Sequence, residues 1–102
     1  MTPAQKSEWQ AATRALQADW ADAVTRKLDP TGDEAQGLAR RHVLWLDAVP
    51  GLPRDGGHLA ADYVRGLGEM YVADDRFGAN YGGPAGAAFV RDALARYAGE
   101  HL

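Results

Sequence analysis

Trp9, Ala12, Leu16, Trp20, Ala23, Val24 and Leu28 recur at steps of three and four residues. A 3.6-residue period brings such positions onto one side of a backbone, so this stretch can bury its large side chains together only as an amphipathic helix. Thr2-Pro3-Ala4-Gln5 marks its start: a capping box with Pro at the first helical position, where a missing N–H costs nothing. Asp29-Pro30 stops the run, because the residue before a proline is pushed out of the helical region. The spacing predicts a first helix over about 3 to 28.

Composition extends that reading to the whole chain. Of its hydrophobic residues 20 are alanine and 27 are larger; there are six Val, four Thr and no Ile, while Ala, Leu, Arg, Gln and Glu are abundant. Strong helix formers outnumber β-branched residues, which predicts an all-α fold with a thin core. In 102 residues there is room for one such core, since a second would need roughly 50 more. Residues 1–102 are therefore expected to form a single compact domain of four to five helices.

Thr31-Gly32-Asp33-Glu34 reads as a second capping box, opening a helix that runs to about Ala48. Its apolar stripe of Ala35, Leu38, His42, Trp45 and Val49, flanked by Leu46, carries His42 onto the same face as Trp45. Pro50 to Gly57 holds three glycines and two prolines and is expected to be a surface loop, the most mobile internal stretch. Helical spacing resumes from His58 to Ala73, where Gly66 and Gly68 each cost about 1 kcal/mol relative to alanine and so call for a packing reason. Asp74-Asp75-Arg76-Phe77 reads as an N-cap and first turn of a short helix that Gly82-Gly83 ends. Pro84 starts the last helix, with Phe89, Val90, Ala93, Leu94 and Tyr97 facing inward and a tail from Gly99 expected to fray.

Several function classes find no material. A net charge of -3 and a pI near 5.5, with dispersed basic residues, give no attraction to phosphate backbones. No apolar run approaches the roughly 20 residues of a membrane span and no signal-peptide pattern opens the chain, so a cytoplasmic setting is expected. With no cysteine and Ser7 as the only serine, neither a thiol nor a serine triad is expected, and the chain is read as a non-enzyme. His58 and Asp62, spaced i, i+4, are two ligands at most and read better as a solvated helix start than as a metal clamp. Adjacent Asp74 and Asp75 suit helix capping better than acid–base work, and no glycine run makes a phosphate cradle. No metal or cofactor is expected.

What remains is a surplus of rings: three Trp, four Tyr and two Phe against ten Leu. Each tyrosine hydroxyl and the His42 imidazole needs a polar outlet, which a polar-edged aromatic cleft would supply to several at once. The alternative is ordinary core, with hydroxyls reaching solvent or backbone.

The run Gly66-Leu67-Gly68-Glu69-Met70-Tyr71-Val72-Ala73-Asp74-Asp75-Arg76-Phe77, followed by Asn80-Tyr81, resembles a signature of the TipAS antibiotic-recognition domain family. His42-Val43-Leu44-Trp45 before it, and Phe89-Val90-Arg91-Asp92-Ala93-Leu94 with Tyr97-Ala98 after it, resemble the flanking motifs in the same order, over roughly Trp9 to Ala98. The resemblance implies a globin-like all-α fold without haem, serving as the effector domain of MerR-type transcription regulators or as a short drug-sequestering form. It implies a hydrophobic or aromatic small molecule or a thiopeptide antibiotic as ligand. The family's founder traps its ligand through a cysteine thiol; with no cysteine here, capture is expected to be reversible. No DNA-binding helix-turn-helix lies within these residues, so nucleic-acid contact would fall to an upstream MerR-type segment of a longer form. Asp75 stands where the pattern usually has Pro, and Ala85-Gly86 replaces the usual order after Pro84.

His42, Trp45, Leu46, Tyr63, Tyr71, Phe77, Tyr81 and Phe89 are the candidate ligand-binding residues. Trp45→Ala is expected to weaken binding more than Trp9→Ala, Trp9 being assigned to helix packing. A protein-interaction module, whose helical groove takes a partner's amphipathic helix, is the rival function.

Overall fold

The computed structural model describes residues 2–102, of which 75% are helical. Helix α1 (Pro3–Thr25) starts as predicted: Thr2 Oγ1 accepts from the Gln5 N–H at 3.1 Å and the Gln5 side chain accepts from the Thr2 N–H at 2.9 Å. It ends three residues before the predicted stop. Lys27 adopts the left-handed conformation at φ 56°, and the Lys27 and Leu28 amides turn back to the carbonyls of Val24 and Ala23. That is a Schellman closure, which satisfies the orphan carbonyls and folds Leu28 onto the core as the first residue past the turn.

Helix α2 (Asp33–Asp47) corrects the second capping box. Gly32 is the N-cap and offers no side chain, while the Thr31 amide and hydroxyl both donate to Asp29 Oδ1 at 2.8 Å. Asp29 has captured the threonine in an Asx turn, a local bond that competes directly with helix capping.

The predicted loop and helix start at 50–60 also change. Strands β1 (Arg54–Asp55) and β2 (His58–Leu59) pair antiparallel around Gly56 and Gly57, both at positive φ as a two-residue hairpin turn of type I′ demands. The hairpin is held to the end of α2 by Arg54, which donates to the Asp47 carboxylate and carbonyl. Leu59 is buried and the Ala60 amide donates to the Pro53 carbonyl, so helix α3 (Ala61–Ala73) begins three residues later than its spacing predicts.

Asp74 caps α4 (Asp75–Gly78) by accepting from the Arg76 N–H; a 3-10 turn over Ala79–Tyr81 follows and Gly82, in the left-handed region, ends it. Helix α5 (Pro84–His101) starts at its proline as predicted, but its tail stays helical to His101, with Leu102 packed back on the core. Of the two α3 glycines only Gly68 has a packing reason. A Cβ there would lie 3.0 Å from the Arg91 Cα, so α3 and α5 meet almost backbone to backbone, whereas nothing lies within 4 Å of Gly66.

The core sits where α2, α3 and α5 meet the second half of α1. Trp20, Leu59, Val64, Val90 and Leu94 are fully enclosed, and six alanines, among them Ala23, Ala39 and Ala93, supply the short faces that bring helices close. All buried residues of α1 lie at or after Leu16, while Ala12 of the predicted stripe is exposed. The first half of α1 thus overhangs α2, anchored by half-buried Trp9 and Thr13. Among the described residues no helix is long and apolar enough to cross a membrane.

Candidate aromatic recognition site

The period of α2 does what the spacing implied: His42 and Trp45 share a face, with ring centroids 5.2 Å apart. His42 is completely enclosed, and both its nitrogens are used. Trp20 Nε1–H donates to Nδ1 at 3.1 Å, and Nε2 meets the Tyr71 hydroxyl at 3.1 Å. An indole N–H can only donate, so Nδ1 must accept and the neutral imidazole carries its proton on Nε2, which donates to Tyr71. Burial holds the His42 pKa down to about 4, which keeps it in this neutral form.

Rings extend from His42 in two directions. Inward, Trp20 meets Phe89 edge to face at 6.0 Å. Toward α4, Tyr71 packs against Tyr81 at 5.1 Å and against Phe77 at 5.8 Å. Burial and the neighbouring Tyr81 hydroxyl push the Tyr71 phenol up, and burial pushes Tyr81 the same way, so both remain protonated hydrogen-bonding groups. Outward, Trp45 stacks on Trp9 at 5.1 Å with planes only 12° apart. Trp45 Nε1–H donates to Thr13 Oγ1 at 2.7 Å and the Thr13 hydroxyl donates to the Trp9 carbonyl at 2.8 Å, while Trp9 Nε1–H makes a long 3.5 Å bond to the Trp45 carbonyl.

Seven of the eight candidate residues therefore fall in or against one packed cluster. His42, Leu46, Tyr71, Tyr81 and Phe89 are buried, Trp45 is half-buried and Phe77 is exposed. Tyr63 is half-buried on α3 and has no ring partner among the described residues. The rings do not line one open cleft; they fill the interior and surface at two ends. At the α4 end lies a groove of about 220 Å³ between Tyr71, Val72, Gly78, Ala79, Pro84 and Ala87. At the other, Trp9 stands between two openings along the α1 overhang. One, of about 300 Å³, is lined by Trp9, Ala12, Leu16, Arg41, Leu44 and Trp45, and one of about 610 Å³ by Gln5, Glu8, Trp9, Ala48 and Pro50. A fourth opening, about 550 Å³ on the α1–α2 face, is lined mostly by charged residues, and Arg41 and Arg26 there are already paired with Asp19, Asp22 and Glu34.

Trp9 is the site residue that helical spacing assigned to packing alone. Its signal was present, since a large ring followed by Ala12 at the thin end of a stripe finds little apolar surface on its own helix and needs a partner from another. The His58–Asp62 spacing loses its meaning here, because His58 lies on β2, outside the helix that holds Asp62.

Fold and ring cluster together define a small all-helical domain organised around an imidazole-centred aromatic network. Over residues 1–97 the chain matches the family model of the TipAS antibiotic-recognition domain, and it belongs to that family. Neither the curated proteins nor the solved structures yield a match.

Proposed function

We propose that this chain is a non-enzymatic receptor that binds drug-like small molecules or peptide antibiotics reversibly, as the effector-sensing domain of a MerR-type regulator or as a drug-sequestering protein in the cytoplasm. Family membership supports antibiotic recognition. The observation that carries the reading further is the ring network, which is sealed at His42 and reaches the surface at Trp9–Trp45 and at Tyr71–Phe77. Openings of about 300 and 610 Å³ at one of these ends match the size of ordinary ligand sites.

In this reading affinity comes from stacking and apolar burial on the surfacing rings, and the enclosed members hold them in place. Trp9 and Trp45 at one end and Phe77 at the other are the rings placed to meet a ligand; His42, Leu46, Tyr71, Tyr81 and Phe89 set their positions. With no thiol in the chain, release needs no bond cleavage.

Titration with thiopeptide antibiotics and neutral planar heteroaromatics, read by tryptophan emission and amide NMR, tests the proposal. Quenching together with shifts at Trp9, Trp45 or Phe77 is expected. Unchanged emission and amide spectra at high micromolar ligand would sink it. A MerR-type DNA-binding segment encoded upstream would place the domain in a regulator.

A further inference from the structure

Resting on the ligand-binding reading above, we propose that the trough beside Trp9 selects planar aromatic cations. Trp45 Nε1–H is committed to Thr13 at 2.7 Å, and Trp9 Nε1–H is turned toward the Trp45 carbonyl at 3.5 Å. A guest is therefore met by the face of Trp9 that is not stacked on Trp45, and an indole face attracts a cation more strongly than any other aromatic side chain does. Trp9 lines both openings of the overhang, with one of its faces covered by Trp45.

Charge around the trough has the matching sign. Glu8, next to Trp9 and lining the larger opening, has no ion-pair partner among the described residues. Arg41, the basic side chain on the smaller opening, is taken by Asp19 at 2.7 Å. The C-terminal end of α2 reaches the larger opening at Ala48, but Arg54 already donates to the Asp47 carboxylate and carbonyl there, so Glu8 is the charge left to face a guest.

Proflavine, a planar tricyclic cation, and 9-anthracenecarboxylate, an anion on a ring system of the same size, separate charge from shape. Proflavine is expected to move the indole N–H signals of Trp9 and Trp45 while that of Trp20, fully enclosed, stays in place. Glu8→Gln should weaken proflavine by about threefold, an effect that fades at high salt, whereas Glu69→Gln, which removes the same charge from α3, should leave affinity unchanged. Trp9→Leu should cost about tenfold, and should that variant not fold, Glu8→Gln and the indole signals carry the test. Equal binding of the anthracene anion, or equal effects of Glu8→Gln and Glu69→Gln, overturns the cation preference and leaves general ligand binding standing if thiopeptides or neutral heteroaromatics still bind. Failure of every compound removes the reading beneath it as well.

Discussion

His42 shows how much one buried side chain can hold. Replaced by leucine, it leaves the Trp20 N–H without an acceptor and the Tyr71 hydroxyl without its donor, both inside the protein. A loss of about 2–4 kcal/mol is expected, measured by urea unfolding at neutral pH. The same residue sets an acid limit. Its folded pKa of about 4 lies below the ordinary 6.5, so as pH falls the unfolded chain takes up the proton first. Stability from the neutral imidazole is complete above about pH 6.5 and drains away down to about pH 4, on the order of 3 kcal/mol in all. Urea midpoints at stepped pH should fall across that window in the native chain and hold flatter in His42→Leu; parallel curves would show that His42 is not the titrating group. Trp9 and Trp45 form a second unit at this scale. Their stacking makes the expected difference between Trp9→Ala and Trp45→Ala small, and a double-mutant cycle on ligand affinity should be strongly non-additive.

Among the elements, α3 and α5 form the most extensive helix pair, and Gly68 lets them approach. Gly68→Ala places a methyl against the Arg91 backbone and is expected to destabilise by about 1 kcal/mol or more, overcoming the helix propensity alanine adds. Gly66→Ala, with open space around it, should stabilise by up to about 1 kcal/mol. Thermal melts of the two variants should move in opposite directions. At the end of α1, Lys27 holds a left-handed conformation that a β-carbon disfavours, so Lys27→Gly should raise the melting temperature through a gain of roughly 0.5–1 kcal/mol. Gly86 is the least replaceable glycine, because a Cβ there would overlap the Tyr81 carbonyl. Gly86 thereby seats α5 on the Tyr81 backbone.

Across the whole molecule, the hairpin turn at Gly56 and Gly57 and the α1 overhang carry little apolar burial. Amide exchange should separate them: the Ala60 amide, bonded to the Pro53 carbonyl, is expected to be protected, while Gly56, Gly57 and the first turns of α1 exchange quickly and slow when ligand covers Trp9. Helix class, a count of four to five helices and the His42–Trp45 face could all be read from residue order, since periodicity, capping residues and prolines act within a turn or two of themselves. Where the reading slipped, two local signals competed: Asp29 and the α2 cap for Thr31, the Gly56-Gly57 turn and the helical period for His58. Beyond reach of any local signal were the pairing of Trp9 with Trp45, 36 residues apart, and the division of the expected cleft into a filled interior with open ends. Those depend on how far each helix overhangs its neighbour and how tightly rings interlock, quantities that exist only once the helices have packed.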